Sequence, residues 1–240
     1  MRILLINANT SADITDRLVG IAQAMAPTGV TFVGATARFG ARYIASRAAS
    51  AVAAHASLDA YAAEGTAMDA VLLACFGDPG LDAIREIAPV PVIGLADASA
   101  AEAMRLAPRF GVVTGGVAWK PMLEEFYAAR GHAPRLAGVR TVAPSGGEIA
   151  RDPDGALAQL ADACRASAAE DGAGAVILGG AGLAGLAARL AGRVPVPVIC
   201  SVVAGVRASL AALGQGHAGL IPHQPVETIG LSPELATRLG

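Results

Sequence analysis

The chain has 240 residues, a formal net charge of −2, a hydrophobic fraction of 54% and only 4% aromatic residues. This balance argues against nucleic acid as a partner, because the chain offers neither a basic surface nor aromatic platforms for bases. The mean hydropathy of +0.52 is high, but Gly, Pro or charged residues interrupt every apolar run well short of the roughly 20 residues that a membrane span needs. We therefore expect a soluble, cytoplasmic protein with no membrane partner, and the N-terminus is not typical of a signal peptide.

Short runs of Val, Ile and Leu alternate with Ala-rich segments along the whole chain. The runs predict strands at 2–6, 30–34, 70–74, 91–95, 110–114, 139–142, 174–178 and 197–203. The Ala-rich segments predict helices at 11–25, 44–64, 79–87, 97–106, 118–130, 154–170, 183–191 and 203–212. This alternation is typical of an α/β fold with mostly parallel sheets covered by helices. Residues 143–153 are interpreted as an exposed loop, and 215–240 as a tail punctuated by Gly and Pro.

The chain also contains an internal duplication. Residues 69–94 resemble residues 174–200 at an offset of 105 to 106, and the strand start at 2–7 resembles 109–114 at an offset of 107. Three matches in one order at nearly one offset indicate two similar α/β lobes related by a pseudo-twofold. We expect one lobe from residues 1–98, completed by 208–240, and a second lobe from residues 99–207.

Ligands of open α/β sheets bind outside the carboxyl ends of the strands. Two facing lobes would therefore bring four strand ends to one cleft, with Cys75 and Gly180 opposite each other and Asn7 and Thr114 at the rim. The four strand ends are Asn7–Thr10, Cys75–Asp78, Thr114–Gly116 and Gly180–Gly182.

Cys75 is the candidate catalytic residue at these ends. It follows an apolar strand and precedes Phe76 and Gly77, which are candidate substrate-binding residues. We expect an exposed sulfur here, close to backbone N–H groups and a helix N-terminus. Such surroundings favour the thiolate. The other interpretation is a buried packing cysteine.

The remaining strand ends supply candidate substrate-binding groups. Asn7, Asn9 and Thr10 offer amides and hydroxyls, and one of the hydroxyls in this segment also caps the next helix. The strand ends of the second half consist of small residues whose accessible backbone N–H groups could bind an anion. The other interpretation is that the glycines simply form tight turns. These candidate residues are Thr114, Gly115, Gly180, Ala181 and Gly182.

Two other cysteines and four histidines are the remaining candidates for a catalytic base or a metal ligand. Cys200 ends the last strand and is a candidate second base, but a packing role is the favoured interpretation, and Cys164 is interpreted as structural. No His or Cys spacing is typical of a metal site, and no glycine motif indicates a nucleotide. These spacings therefore support neither a metal site nor a dinucleotide or P-loop site.

Four segments together resemble the hydantoin/allantoin racemase branch of the aspartate/glutamate racemase superfamily. They are INANTS at 6–11, ACFGDPGL at 74–81, VPVIGLADAS at 90–99 and ILGGAGLAGLA at 177–187. The resemblance covers about residues 1–213. It implies two facing α/β lobes, a cofactor-independent isomerase, and a small carboxylate or ureide substrate whose α-proton is exchanged between two cysteines, one in each lobe. We also expect a homo-oligomer.

The second thiol of that pattern is absent here. The family motif usually reads Gly-Cys-Ala-Gly, whereas this chain has Gly180 in the cysteine's place, and the internal repeat independently pairs Gly180 with Cys75. A racemase that uses two bases needs one group on each face of its planar intermediate, so one thiol should leave racemisation severely impaired.

Several alternatives therefore stay open. The chain resembles one-thiol arylmalonate decarboxylases, although their cysteine lies in the second lobe. It also resembles maleate cis-trans isomerases, in which the equivalent of Cys75 is thought to be a nucleophile. Cys200 is a candidate replacement for the missing base, and a non-catalytic protein that binds a small carboxylate is the remaining hypothesis.

Overall fold

The structure, a computed structural model, describes residues 1–215 and 225–240. The chain divides into two compact units, Met1–Gly94 with Gly205–Gly240, and Leu95–Ala204. The sequence had placed the corresponding boundaries after residues 98 and 207. No helix in the described ranges is both long and apolar enough to cross a bilayer.

The strands and helices alternate along the chain. The strands are β1 Arg2–Asn7, β2 Thr31–Thr36, β3 Ala70–Leu73, β4 Val92–Gly94, β5 Phe110–Gly115, β6 Leu136–Val142, β7 Ala175–Gly179 and β8 Val198–Cys200. The helices are α1 Ala12–Met25, α2 Arg47–Glu64, α3 Leu81–Ile87, α4 Leu95–Leu106, α5 Trp119–Ala129, α6 Gly146–Arg151, α7 Pro153–Ala169, α8 Leu186–Arg189, α9 Ser201–Ala212 and α10 Pro233–Leu239.

Each unit contains a four-stranded sheet in which all pairs are parallel. The order is β2-β1-β3-β4 in the first unit and β6-β5-β7-β8 in the second. The two halves of the chain thus build the same topology, as the internal repeat predicts. The α/β fold with parallel sheets covered by helices is confirmed.

The burial of the strands follows from their sequences. β3, β5 and β7 are buried at every residue, and β1 at every residue after Arg2. These central strands read as nearly continuous apolar runs because helices cover both faces of a parallel sheet. The edge strands β2 and β6 are only partly buried.

Three predictions of local structure were wrong. The interval 143–153 is not an exposed loop, because it contains α6, whose N-terminus has a capping box between Ser145 and Glu148. The last predicted strand, 197–203, ends at Cys200, and α9 begins at Ser201. The tail contains α10, which packs against α2.

The C-terminal helix contacts a charged pair formed by Asp59 of α2 and Arg38 in the loop after β2. The Asp59 carboxylate is 4% exposed and accepts two hydrogen bonds from Arg38, at 2.8 and 2.9 Å. The hydrogen bond from Arg38 lowers the pKa of Asp59, and Ser232 at the start of α10 contributes in the same direction. Glu234 of α10 lies 3.8 Å from Arg38.

The packing between β5 and α7 yields a stability prediction. A Cβ on Gly111 would overlap the Ser167 hydroxyl, which is buried and has no hydrogen-bond partner among the described residues. We expect Gly111→Ala to lower the free energy of unfolding by about 1–3 kcal/mol through overpacking. Adding Ser167→Ala should recover part of this loss. Urea unfolding midpoints of the single and double variants measure both effects.

Gly20→Ala is the matched control for this prediction. Gly20 lies on an exposed face of α1, and its Cβ would have nothing within 4 Å. Alanine in a helix should stabilise the protein there by about 0.5–1 kcal/mol. An unchanged midpoint for Gly111→Ala would contradict the packing described here.

Candidate functional site

The strand order of each unit creates a crevice at its carboxyl edge. From β1 the chain first crosses to β2 on one side and then to β3 on the other. In such a sheet the loops that follow the two central strands diverge, and the gap between them is the usual ligand site. In the first unit these loops follow β1 and β3, and in the second they follow β5 and β7.

The loop after β1 is organised by Asn7. Asn7 is fully buried, and its side-chain nitrogen donates to Asn9 Oδ1 at 3.0 Å, to the Ser11 carbonyl at 3.1 Å and to Thr15 Oγ1 at 3.0 Å. Its Oδ1 accepts from the Asn9 N–H at 3.2 Å. Both amide hydrogens are therefore engaged by the loop and by the first turn of α1, so Asn7 fixes the shape of the loop while Asn9 and Thr10 remain partly exposed.

The loop after β3 carries Cys75 beside the loop of β1. The Ala74 N–H donates to the Ile6 carbonyl at 2.8 Å, which fixes Cys75 next to the end of β1. A turn follows, in which the Asp78 N–H donates to the Cys75 carbonyl at 3.0 Å. Gly77 and Gly80 have φ values of +100° and +88°, which glycine adopts without strain.

The surroundings of Cys75 differ from those expected from the sequence. Cys75 is 7% exposed and Phe76 is 5% exposed, so the sulfur is buried rather than exposed. Helix α3 begins six residues further on, at Leu81, and not directly after the thiol. Burial, reinforced by the negative charge of Asp78, raises the pKa of Cys75 to about 12. The expectation of a favoured thiolate was therefore wrong, and at neutral pH Cys75 is a thiol.

In the second unit, Gly180 lies beside Thr114. Thr114 pairs with Gly179 across β5 and β7, and a Cβ on Gly180 would lie 3.8 Å from Thr114 Oγ1 and 3.4 Å from Leu183 Cδ1. There is room for a side chain at this point. The backbone is less permissive, because Gly180 has φ +124° and ψ 140°, a combination that residues with a side chain rarely adopt.

The start of α6 packs against two of the predicted substrate-binding glycines. A Cβ on Gly115 would lie 2.7 Å from the Gly146 nitrogen, and a Cβ on Gly182 would overlap the Gly146 carbonyl. Gly115 and Gly182 therefore allow the close approach of another backbone segment. Ala181 and Gly182 begin a short 3₁₀ turn, Ala181–Leu183, and both are partly exposed.

The two remaining cysteines have different surroundings. Cys200 is partly buried and packs against the hydrophobic core beside α7 and α8, whereas Cys164 is fully buried within α7. The pKa of Cys164 is raised to about 12, chiefly by burial.

No metal site is present within residues 1–215 and 225–240, because no group of three His, Cys, Asp or Glu side chains is arranged to hold an ion. His55 stacks edge-on against Phe39, with ring centroids 4.9 Å apart. His217 and His223 lie outside the described residues.

Comparison with known proteins connects this geometry to a family. The family description Asp/Glu/Hydantoin racemase matches residues 3–209. The chain is 34% identical to hydantoin racemase of Pseudomonas sp. (strain NS671) over 208 residues, covering 86% of this chain and 84% of that relative. It is also 34% identical to hydantoin racemase of Paenarthrobacter aurescens over 220 residues, covering 89% of this chain and 92% of that relative.

The chain belongs to the Asp/Glu/hydantoin racemase family. The crystal structure of allantoin racemase from Pseudomonas fluorescens superposes with a TM-score of 0.90 at 33% identity, covering 96% of this chain and all of that one. Hydantoin and allantoin racemases are isomerases, so the chain is an enzyme of the racemase superfamily.

Two residues of this family member were not identified from the sequence. Ser201 is fully buried, and its hydroxyl accepts a hydrogen bond from the Gly180 N–H at 3.2 Å. It was missed because the predicted strand continued past it. Asp78 is 4% exposed and has a φ of +47°. The sequence feature that could have identified Asp78 is an acidic residue inside an otherwise apolar and glycine-rich turn.

The burial of the three thiols predicts their order of alkylation by iodoacetamide at neutral pH. We expect Cys200 to react first because it is the most accessible, followed by Cys75 and then Cys164. The rates are measured by mass spectrometry of peptides after timed quenching, with urea-unfolded protein as the control, in which all three should react alike. Faster reaction at Cys75 than at Cys200 would contradict the buried, protonated thiol.

Proposed function

We propose that this enzyme catalyses cofactor-independent proton transfer at a carbon alpha to a carbonyl of a small cyclic ureide or carboxylate, with Cys75 as the group that moves the proton. The observation that carries the proposal is the location of Cys75 at the switch point of the first sheet, next to the loop of β1. Family membership supports the same assignment.

The ionisation of Cys75 favours one of its three conceivable roles. A nucleophile or a resting base must be deprotonated, whereas a pKa of about 12 keeps this thiol protonated at neutral pH. A protonated thiol is ready to deliver a proton to a carbanion or enolate. Cys75 is therefore a proton donor in this proposal, and the nucleophilic role suggested by resemblance to cis-trans isomerases is disfavoured.

The names of the relatives favour a ureide over a simple carboxylate. Hydantoin and allantoin both contain a five-membered ring in which the reacting carbon lies between a carbonyl and a nitrogen. Such a ring has donors and acceptors but no formal charge. The loop after β1, next to Cys75, offers matching partners in the partly exposed Asn9 and Thr10.

The residue at position 180 favours proton delivery to one face of the substrate. Gly180 has no side chain to act as an acid or base, and the nearest hydroxyls are those of Thr114 and Ser201. Unactivated hydroxyls ionise too weakly to remove an α-proton. The second candidate reaction is therefore a stereospecific lyase or decarboxylase step, in which a carbanion forms without a second base and Cys75 protonates it.

Deuterium exchange distinguishes these reactions from each other. Enantiopure 5-substituted hydantoins, amino acids and substituted malonates are incubated with the enzyme in D₂O, and exchange is followed by NMR and configuration by optical rotation. We expect deuterium to enter on one face only. With a malonate, loss of CO₂ leaves the carbanion that Cys75 protonates. With a hydantoin or amino acid, the Cys75 thiolate must first remove the α-proton, so exchange should be slow at neutral pH, rise with pH and proceed without racemisation. Cys75→Ala should lower the rate by about 10²–10⁴-fold, the usual contribution of a general acid or base. Cys164→Ala is the matched control and should retain the wild-type rate.

Substitution at position 180 tests the one-face hypothesis. Gly180→Cys should introduce racemisation, whereas Gly180→Ala should not, although both variants should lose about 1–3 kcal/mol of stability because of the φ of +124°. Fast racemisation by the wild-type enzyme would refute the hypothesis. If that racemisation also disappeared in Cys200→Ala, Cys200 would be the second base. Ligand binding without exchange or turnover for any compound class would indicate a binding protein.

A further inference from the structure

The loop after β2, residues 37–46, packs against the loop that follows β1. It lies wholly within the described residues and contains neither helix nor strand, so individual contacts must fix its shape. The Thr10 N–H donates to the Ala41 carbonyl at 3.1 Å, and the Ser11 hydroxyl donates to the Arg42 carbonyl at 3.0 Å. The position of Thr10 therefore depends on where the loop after β2 is held.

Arg38 attaches the loop after β2 to helix α2. Its guanidinium donates two hydrogen bonds to the Asp59 carboxylate, which is almost fully buried. Burying a carboxylate is costly unless it is paired, and a two-pronged arginine pair fixes the geometry as well as the charge. The next residue, Phe39, stacks edge-on against His55 of the same helix. Two successive side chains thus fix the loop on α2.

The C-terminal helix α10 brings further groups to the same place. Leu235 of α10 is buried, and Arg238 donates a hydrogen bond to the Thr66 hydroxyl, just beyond the end of α2, at 3.3 Å. The Glu234 carboxylate lies 3.8 Å from the Arg38 guanidinium. Arg38 therefore lies between the acid of α2 and an acid of α10.

The corresponding connection of the second unit, between β6 and α7, is stabilised differently. It contains α6, whose own backbone hydrogen bonds and capping box fix its shape. It also approaches the end of β5 closely, since a Cβ on Gly115 would lie 2.7 Å from the Gly146 nitrogen of α6. Both units therefore pack this connection against the end of a central strand, and the first unit uses side chains of α2 where the second has a helix.

We propose that Arg38 is a positioning residue for the substrate-binding loop after β1. Paired with Asp59, it holds the loop after β2 in place and so keeps Asn9 and Thr10 in the arrangement that binds substrate. This inference rests on the role of Asn9 and Thr10 in the proposed function. Loss of Arg38 should weaken substrate binding and leave proton transfer by Cys75 intact, because the pair acts on the binding loop and not on the thiol.

Amide hydrogen exchange of the intact protein without substrate, followed by NMR, tests whether Arg38 holds the loop. We expect Arg38→Ala to raise the exchange rate of the Thr10 amide about tenfold or more, because local opening no longer has to overcome a charged hydrogen bond. The Leu72 amide of the buried strand β3 reports any loss of overall stability. Arg42→Ala, which removes an exposed side chain of the same loop, is the matched control and should leave Thr10 exchange at the wild-type rate.

Two further variants keep this test decisive. Arg38→Ala combined with Asp59→Ala leaves no buried carboxylate unpaired, so it remains informative if Arg38→Ala alone does not fold. The double variant should raise Thr10 exchange as well, whereas Arg38→Lys keeps a charge and should restore part of the protection. Wild-type exchange of Thr10 in the folded variants, or a rise no larger than that of Leu72, would overturn the proposal.

Steady-state kinetics with a hydantoin or malonate that the wild type turns over provide the functional readout. Arg38→Ala should raise KM about tenfold, the worth of one or two lost hydrogen bonds to substrate, and should change kcat by less than about threefold. The rate of Cys75 alkylation without substrate should stay at the wild-type value. A fall in kcat with KM unchanged would refute the positioning role.

The outcome is separable from that of the proposed function. If no compound is turned over, amide exchange still decides whether Arg38 holds the loop after β1. If Cys75→Ala abolishes turnover while Arg38→Ala changes neither Thr10 exchange nor KM, the proposed function stands and the role of Arg38 is refuted.

Discussion

The strand order β2-β1-β3-β4 is the constraint on which the candidate site depends. Because the chain leaves β1 on one side and returns on the other, the loops after β1 and β3 share an edge but are not joined to each other. The Asn7 network fixes one loop and the turn after Cys75 fixes the other. Each loop is held by its own contacts, so the backbone on both sides of Cys75 is fixed.

Burial determines the chemistry of Cys75 more than its position on the strand does. A thiol at a strand end is commonly regarded as activated, but here the low polarity around the sulfur and the charge of Asp78 both oppose ionisation. The same group is consequently a poor nucleophile and a competent acid. An enzyme that must protonate a carbanion in neutral solution benefits from this state, because the donor is fully protonated before the substrate is bound.

The fold and the position of Cys75 just after a central strand were predictable from the sequence, whereas the surroundings of the thiol were not. Apolar runs and the repeat of 69–94 in 174–200 predicted the strands and their topology, because these depend on local pattern. The ionisation of Cys75 was not predictable, since it depends on side chains packed around it in three dimensions. Helix α6 was missed because a six-residue helix with two leading glycines has too little periodicity, although its Ser145–Glu148 capping box was readable. The start of α9 was missed because Val202 and Val203 extend the apolar run of β8 into the helix.

Gly180 illustrates how the backbone conformation, and not only the available space, can favour glycine at a position. The space beside Thr114 and Leu183 would accept a sulfur atom, but the φ of +124° would not accept the Cβ that carries it without strain. The Gly180 N–H donates to the Ser201 hydroxyl, and that hydrogen bond helps to hold the backbone in this conformation. The lack of a side chain at position 180 and the conformation of the loop after β7 are thus coupled, because this backbone is one that glycine adopts without strain.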